Sequence, residues 1–152
     1  MARILLVDDD RDLLEIASAL LVHAGHSVVC RSDVLAALDQ ARKQSFDVVI
    51  TDANMSPHSG FDLIRSLKQM SDYELTPIAM LTGRREKRDV ERAISMGAKD
   101  YIIKPLEPAR FLEKVAELVA QSDLIRKTSR FAEVDVRETA LCEVPLVLVS
   151  LS

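Results

Sequence analysis

Short apolar runs alternate with amphipathic stretches through the first 105 residues, and this alternation restricts the fold more than any other feature of the chain. The runs occupy residues 4–7, 28–30, 48–50, 78–81 and 101–103. Each run has the length and composition of a buried strand, and helical periodicity follows each one. Five strands, each followed by a helix, predict an α/β domain whose parallel sheet is covered on both faces.

Helix start and stop residues support this pattern. The first amphipathic stretch places five apolar residues on one face of a helix: Leu13, Ile16, Ala17, Leu20 and Leu21. Asp10 precedes this stretch and is suited to an N-cap, and Gly25 follows it where helices commonly end. Further helices are predicted at about residues 33–44, 60–70 and 86–96, and a fifth after Pro105.

Polar residues follow four of the five predicted strands at the point where each strand ends. They are Asp8 and Asp9 after the first run, Asp52 after the third, Thr82 after the fourth and Lys104 after the fifth. The carboxyl ends of parallel strands form one edge of the sheet, and ligands of open α/β sheets bind beyond that edge. We therefore expect these side chains to lie close together.

The expected cluster has the chemistry of a divalent-cation and phosphoryl site. Asp8, Asp9 and Asp52 bring three negative charges together and Lys104 returns one positive charge, which would raise the pKa of at least one carboxyl. Mg²⁺ coordinated by oxygens would relieve this crowding. Asp52 would then be an ionised nucleophile, with Lys104 and the Thr82 hydroxyl beside an incoming phosphoryl group.

The motifs that contain these residues resemble the receiver domain of a bacterial two-component response regulator. They are "ILLVDDD", "DVVITDANM", "AMLTG" and "GAKDYIIKP", and the resemblance covers about residues 2–122. Their order and spacing together are far more specific than any one motif. The resemblance implies a flavodoxin-like, doubly wound, five-stranded parallel sheet with strand order 2-1-3-4-5.

The resemblance also implies roles for the site residues. Asp52 would be the phosphoacceptor and would take its phosphoryl group from the phosphohistidine of a sensor histidine kinase or a phosphotransfer protein. Mg²⁺ would be bound by the side chains of Asp9 and Asp52 and by the backbone carbonyl of Asn54, with Asp8 assisting through water. Lys104 would pair with the phosphoryl oxygens.

Thr82 and Tyr101 correspond to the switch pair of the family. The resemblance implies that the Thr82 hydroxyl moves to the phosphoryl group and the Tyr101 ring turns inward, which would change the surface of the fourth helix, fifth strand and fifth helix. The chain would be a signalling switch with intrinsic autodephosphorylation and not a turnover enzyme. It departs from the family at Ser56, where proline is usual; Pro57 follows, the loop keeps its length to Gly60, and we expect the site to survive.

Two alternative functions remain open on the sequence alone. A receiver-like binding module would act through its surface without being phosphorylated. A haloacid-dehalogenase-type phosphatase, which "LLVDDDRDLL" also resembles, would use Asp8 as nucleophile and Asp10 as general acid. The phosphatase alternative lacks an acidic pair after the fourth strand and gives Asp52 no role.

Charge and hydropathy limit the expected partners. The formal net charge of −4 argues against direct nucleic-acid binding by this chain, because such binding normally needs a basic face. No stretch approaches the roughly 20 apolar residues of a membrane span. The N-terminus begins with a strand-like run and shows no signal peptide, so we expect a cytoplasmic protein.

The last part of the chain has a different pattern. We expect residues 1–122 to form the receiver domain and residues 123–152 to form an extension, with the end of a helix and then a strand. Ala132, Val134 and Val136 alternate with charged residues, which predicts a half-exposed strand. "VPLVLVSLS" follows, and an apolar strand with an open edge pairs readily. We therefore expect either the start of a truncated output domain or a tail that forms a homodimer.

Overall fold

The computed structural model describes the backbone of residues 1–83 and 87–142, and the side chains of residues 1–83 and 88–129. Strands and helices alternate along this part of the chain. In order they are β1 (Arg3–Val7), α1 (Arg11–His23), β2 (Ser27–Arg31), α2 (Val34–Lys43), β3 (Val48–Asp52), α3 (Gly60–Lys68), β4 (Ile78–Gly83), α4 (Lys87–Ser95), β5 (Asp100–Lys104) and α5 (Pro108–Cys142). A 3₁₀ turn at Ser71–Tyr73 lies between α3 and β4.

The five strands form one parallel sheet in the order β2-β1-β3-β4-β5. This arrangement confirms the predicted α/β class and the order 2-1-3-4-5. β4 and β5 end level with each other, because Gly83 lies opposite Lys104, and β3 ends two residues earlier, with Asp52 opposite Leu81. The sheet therefore presents the residues that end its strands along a single edge, as the sequence predicts.

Alternate strand residues point into two hydrophobic cores, one on each face of the sheet. The core under α2, α3 and α4 receives these strand residues: Leu5, Val7, Val49, Ile78 and Met80. The core under α1 and α5 receives their neighbours: Ile4, Leu6, Val48, Ile50, Ala79 and Leu81. Because both faces are covered, the strand interiors are mostly apolar, and the charged side chains of the strands lie at their first or last residues.

The ends of α1 lie where the sequence predicts them. The Asp10 side chain accepts hydrogen bonds from the backbone N–H groups of Asp12 and Leu13 and so caps the helix. Gly25 follows the end of α1 with φ = 95°, a left-handed conformation that favours glycine. These two residues fix the length of the segment between β1 and β2.

The strand predicted at residues 132–137 is wrong, because α5 continues as a helix to Cys142. No glycine or proline interrupts the sequence between Pro108 and Pro145, so it contains no helix-stopping residue over that length. The short alternation of apolar and charged residues at 132–137 is therefore not enough to end the helix. The extension is therefore helical and not β-rich through Cys142. The apolar run at residues 144–152 lies outside the described residues, and the division at residue 122 stays a prediction.

The middle of α5 is held against the amino ends of β1 and β3. The Arg126 guanidinium lies 3.7 Å from Asp47 Oδ1, and Asp47 Oδ2 accepts a 2.8 Å hydrogen bond from the backbone N–H of Arg3. Ser122, one turn earlier on α5, is buried. The helix thus stays packed on the domain beyond the last of its core residues. In the part of the chain that the structure describes, no helix combines the length and apolar character needed to span a bilayer.

Tyr73 joins the end of α2 to the turn that precedes β4. Its buried hydroxyl lies 2.7 Å from the carbonyl oxygens of Ala41 and Gln44, to which it donates a shared hydrogen bond. Carbonyls in the last turn of a helix have no partner within the helix. The tyrosine therefore supplies a donor that α2 lacks.

Replacing Tyr73 with Phe should lower the free energy of unfolding by about 1–3 kcal/mol, because two carbonyls lose their donor while the ring stays buried. Urea denaturation would measure the change. Tyr101→Phe is the control, since it removes the hydroxyl of the other tyrosine in the chain, which is only half-buried. Equal stability of Tyr73→Phe and the wild type would contradict this account of the α2 terminus.

Candidate functional site

Asp8 and Asp9 follow β1 directly and differ in exposure: Asp8 is fully buried and Asp9 is exposed. The backbone of Asp8 continues the sheet, since its N–H donates to the carbonyl of Arg31 at 3.1 Å. Asp8 Oδ1 accepts a 2.9 Å hydrogen bond from the backbone N–H of Asp10. The sheet and the start of α1 thereby hold the Asp8 carboxylate in one position.

Lys104 brings the strand ends together. Its Nζ lies 2.8 Å from Asp8 Oδ2 and 3.1 Å from Asp52 Oδ1. Asp52 is 6% exposed and is the last residue of the central strand β3. One ammonium therefore pairs with two buried carboxylates that come from different strands, as expected from the positions of these residues in the sequence.

The balance of charge shifts the pKa values of this group. Burial raises the pKa of the Asp52 carboxyl, and the negative charge of Asp8 raises it further, while Lys104 and a backbone hydrogen bond from Asn54 act in the opposite direction. Burial alone would lower the pKa of the Lys104 ammonium. The hydrogen bond and charge of Asp8, together with those of Asp52, outweigh burial, so the pKa of Lys104 is raised. Lys104 accordingly stays charged at neutral pH.

The carboxylates also fit a divalent cation. Oxygens of Asp8, Asp9 and Asp52 lie within 4.8 Å of one another. Asp8 Oδ2 is fully buried, and among the described residues the Lys104 ammonium, 2.8 Å away, is its partner. Hard oxygen donors of this kind are the ligands that Mg²⁺ prefers, so the residues fit the predicted metal.

The loop after β3 packs closely on Asp52. A Cβ at Gly60 would overlap the backbone carbonyl of Asp52, so only glycine allows this approach. The Gly60 N–H donates to the carbonyl of Ala53 at 3.0 Å and closes the loop. Ser56 and Pro57, where the chain departs from the family pattern, are exposed within the loop and away from this contact. The displaced proline therefore leaves the support beneath Asp52 in place.

Thr82 and Tyr101 occupy the two strands beyond Asp52. Thr82 is buried and comes one residue after Leu81, the partner of Asp52 in the sheet. Its hydroxyl donates to the carbonyl of Gly83 at 3.3 Å. Tyr101 is half-buried on β5, three residues before Lys104. The structure thus places Thr82 at the predicted edge and Tyr101 on the neighbouring surface.

Sequence analysis did not identify two residues that act on this region. Gly60 appeared there only as the end of a loop, whereas its contact with Asp52 is a tertiary one. Lys114 of α5 lies against Tyr101, and a separation of thirteen positions along the sequence forms no local pattern that predicts this contact. The one signal for Gly60 in the sequence is that a glycine ends the loop that follows Asp52. The sequence contains no comparable signal for Lys114.

Asp10 does not take part in the cluster. Its side chain caps α1, and a carboxylate engaged in this way is poorly placed to act as a general acid. The phosphatase alternative, which needs Asp10 in that role, gains no support from the structure.

The strand order, the acidic edge and the lysine contact agree with a comparison against known families. The model of the response regulator receiver domain matches residues 4–116. The chain belongs to this family. Receiver domains are signalling switches that bind Mg²⁺ at an acidic pocket, which agrees with the cluster described above.

The chain is similar in sequence to two longer regulatory proteins. The chain is 33% identical over 122 residues to the transcriptional regulatory protein CpxR of Escherichia coli (strain K12), covering 80% of this chain and 51% of CpxR. It is 33% identical over 135 residues to the DNA-binding response regulator MtrA of Mycobacterium leprae (strain TN), covering 88% of this chain and 59% of MtrA. The chain thus spans little more than half the length of these relatives.

Solved structures show the same fold. The chemotaxis response regulator CheY4 of Vibrio cholerae has a TM-score of 0.74 and 33% identity, covering 78% of this chain and 98% of CheY4. A receiver domain protein from Clostridium thermocellum has a TM-score of 0.76 and 28% identity, covering 82% and 99% of the two chains. The match covers nearly the whole of both solved chains, which confirms the flavodoxin-like fold.

The raised pKa of Asp52 predicts a pH-dependent effect of Asp52→Asn. Because folding raises this pKa, the carboxyl favours the folded state below its unfolded-state pKa of about 3.9, and this contribution is lost as the pH rises through the folded-state value. With a chelator present, Asp52→Asn should therefore be more stable than the wild type at pH 7, and the difference should close as the pH approaches about 4.

Urea titrations across this pH range would test the effect. Asp12→Asn, which neutralises an exposed carboxylate on α1, should not produce the same gain. A wild type that is more stable than Asp52→Asn at pH 7 in chelator would show that Lys104 outweighs burial and the repulsion of Asp8.

Proposed function

We propose that the chain is a phosphorylation-dependent signalling switch and that Asp52 is its phosphoacceptor. The contact of one ammonium, Lys104, with two buried carboxylates at the carboxyl edge of the sheet carries the proposal. Membership of the receiver family supports it. The donor would be the phosphohistidine of a sensor histidine kinase or a phosphotransfer protein.

The transfer requires positioning and charge stabilisation more than covalent assistance. A carboxylate oxygen of Asp52 attacks phosphorus, the phosphorus–nitrogen bond of the donor breaks, and the imidazole leaves with the bonding electrons and takes up a proton from solvent. An aspartyl phosphate and a histidine result. Lys104, already within 3.1 Å of Asp52, would move its ion pair from the carboxylate to the phosphoryl oxygens.

Asp9 and Asp52 would hold Mg²⁺ through their side chains and Asn54 through its backbone carbonyl, with Asp8 assisting through water. The bound ion would neutralise charge on the phosphoryl oxygens during transfer. Asp8, fixed by its hydrogen bond from Asp10, would orient this shell without leaving the sheet. Asp9 is exposed and lies on the side from which solvent and donor approach.

Thr82 and Tyr101 would convert phosphorylation into a change of surface. Thr82 is the second-last residue of β4, the strand beside β3, so its hydroxyl could turn to a phosphoryl oxygen on Asp52. The Tyr101 ring, half-buried on β5, would follow by turning inward. The two movements would alter the surface of α4, β5 and α5, and phosphorylation would shift a pre-existing equilibrium between two arrangements.

The chain would process one phosphoryl group at a time and lose it by intrinsic hydrolysis, so we do not propose a turnover enzyme. The alternative of a binding module without phosphorylation is weakened by the completeness of the site. Oxygens of Asp8, Asp9 and Asp52 lie within 4.8 Å of one another, and Lys104 lies within 3.1 Å of Asp8 and Asp52. Burial of two carboxylates beside one lysine costs desolvation free energy, which supports a functional role for the group.

Incubation with acetyl phosphate and Mg²⁺ should add one phosphoryl group to the wild type, and Asp52→Asn should gain none. Asp12→Asn is the matched control and should behave as the wild type. Lys104→Met should react at least about tenfold more slowly, because the developing charge loses its ammonium. Intact-protein mass spectrometry gives the readout. Equal phosphorylation of Asp52→Asn and the wild type would remove Asp52 from this role.

We also propose that this chain does not bind nucleic acid directly. CpxR and MtrA are named for transcriptional regulation and DNA binding, but this chain spans only part of their length. Its formal net charge of −4 does not provide the basic surface on which such binding depends. The output function would then belong to a partner protein or to a segment that the match to CpxR and MtrA does not cover.

Self-association is proposed for residues 123–152, on the basis of their apolar last run and the long helix that precedes it. Sedimentation should give two chains per particle for the full chain and one for residues 1–122. The shorter chain retains the whole span matched by the family, residues 4–116. The same number of chains per particle in both would exclude the tail as a dimerisation element.

A further inference from the structure

Lys114 makes three contacts with two consecutive residues of β5. Its Nζ lies 3.0 Å from Asp100 Oδ1 and donates a 2.9 Å hydrogen bond to the carbonyl of Tyr101. The same ammonium lies 4.7 Å from the centre of the Tyr101 ring. A single cation on α5 thus holds both the backbone and the ring of the proposed switch tyrosine.

The surroundings of Lys114 make this arrangement rigid. Asp100 Oδ1 also accepts a 2.7 Å hydrogen bond from the backbone N–H of Tyr101, so the carboxylate that fixes the ammonium is itself fixed to the strand. The side chains of Lys114 and Asp100 are 16% and 24% exposed. Partial burial strengthens both the ion pair and the cation–π contact relative to the same contacts in water.

The ring contact differs from the other two in its dependence on the position of Tyr101. The hydrogen bond to the carbonyl and the ion pair with Asp100 persist when the side chain rotates. The cation–π contact is lost if the ring moves away from Nζ. Only a contact that differs between two arrangements can change their ratio. The ring contact therefore acts selectively on the arrangement in which Tyr101 lies beneath Lys114.

We propose that Lys114 is a positioning residue for Tyr101 and that its ammonium sets the fraction of molecules in which the ring occupies the position seen here. The proposal rests on the proposed function of Tyr101 as the switch aromatic and adds a group that controls it from α5. Lys114 touches neither Asp52 nor any other residue of the acidic cluster among its described contacts. It would act on signalling through Tyr101 alone.

The ring position can be observed directly. The chain has two tyrosines, so labelling with 3-fluorotyrosine gives two ¹⁹F resonances, and Tyr101→Phe identifies the one from Tyr101. Before any phosphoryl donor is added, Lys114→Met should change the ratio of ring positions about three- to tenfold and so shift or split the Tyr101 resonance. Lys114→Arg keeps the charge and the donors and should restore the wild-type spectrum.

Two further variants separate a positioning effect from a general loss of structure. Arg92→Met is the matched control, because Arg92 makes the same kind of contact with Phe61 at 4.3 Å and should leave the Tyr101 resonance unchanged. Asp100→Asn keeps an acceptor for the Tyr101 N–H but weakens the hold on the ammonium. It should therefore shift the resonance in the same direction as Lys114→Met, and it serves if that variant does not fold.

A Tyr101 resonance in Lys114→Met and Asp100→Asn that coincides with the wild type would overturn the proposal. So would a shift in Lys114→Met that Lys114→Arg fails to reverse. The coupling of Tyr101 to Asp52 is tested separately by the rate of phosphorylation with acetyl phosphate in the same variants. A changed resonance with an unchanged rate would support the role of Lys114 and contradict the switch role of Tyr101 in the proposed function.

Discussion

The ion-pair triad of Lys104 with Asp8 and Asp52 is the constraint on which the site depends. Two carboxylates buried at the same sheet edge repel each other, and each would cost free energy if left unpaired. The ammonium, at 2.8 and 3.1 Å, offsets this cost for both of them. Since Lys104 ends β5, Asp8 follows β1 and Asp52 ends β3, the triad also requires these strands to end close to one another. The register of the sheet therefore determines whether the charges of the site can pair.

The same triad leaves the site incompletely balanced, and this imbalance is useful for its chemistry. The pKa of Asp52 stays above its ordinary value despite Lys104, because burial and Asp8 act against its ionised form. Asp8 Oδ2 keeps only an ion pair. Added positive charge, such as that of a divalent cation or a second ammonium, would therefore stabilise the ionised carboxylates of this site. A site that was fully satisfied by its own side chains would have less to gain from a metal and a phosphoryl group.

The part of this arrangement that could be predicted from sequence is the part fixed by periodicity. Strand ends can be located because apolar runs stop there, and parallel topology then brings Asp8, Asp52 and Lys104 to one edge. Contacts across the fold could not be predicted in this way. Gly60 packs against the backbone carbonyl of Asp52, and Lys114 of α5 contacts the Tyr101 ring of β5. Residues 132–137 mislead for the opposite reason: a local alternation suggests a strand, but the uninterrupted sequence from Pro108 favours continuation of α5.

Helix α5 contacts β5 and the amino end of β3 at two points along its length. Lys114 holds Tyr101 on β5, and Arg126, twelve residues later, pairs with Asp47 at the amino end of β3. At 1.5 Å per residue these two contacts are about 18 Å apart along one helix. A displacement of the helix along its axis would therefore disturb both contacts.

The contacts made by the two lysines differ in strength in the way a switch requires. Lys104 sits between two buried charges, where removing one partner would leave an uncompensated carboxylate. The ring contact of Lys114 is weaker, of the order of 1 kcal/mol, which changes a ratio of two arrangements by about fivefold. A strong hold at the site keeps the reacting groups in register. Under the proposed function, a weak hold at Tyr101 would leave the ring position adjustable by a phosphoryl group on Asp52, because a much stronger contact would keep the ring in one arrangement.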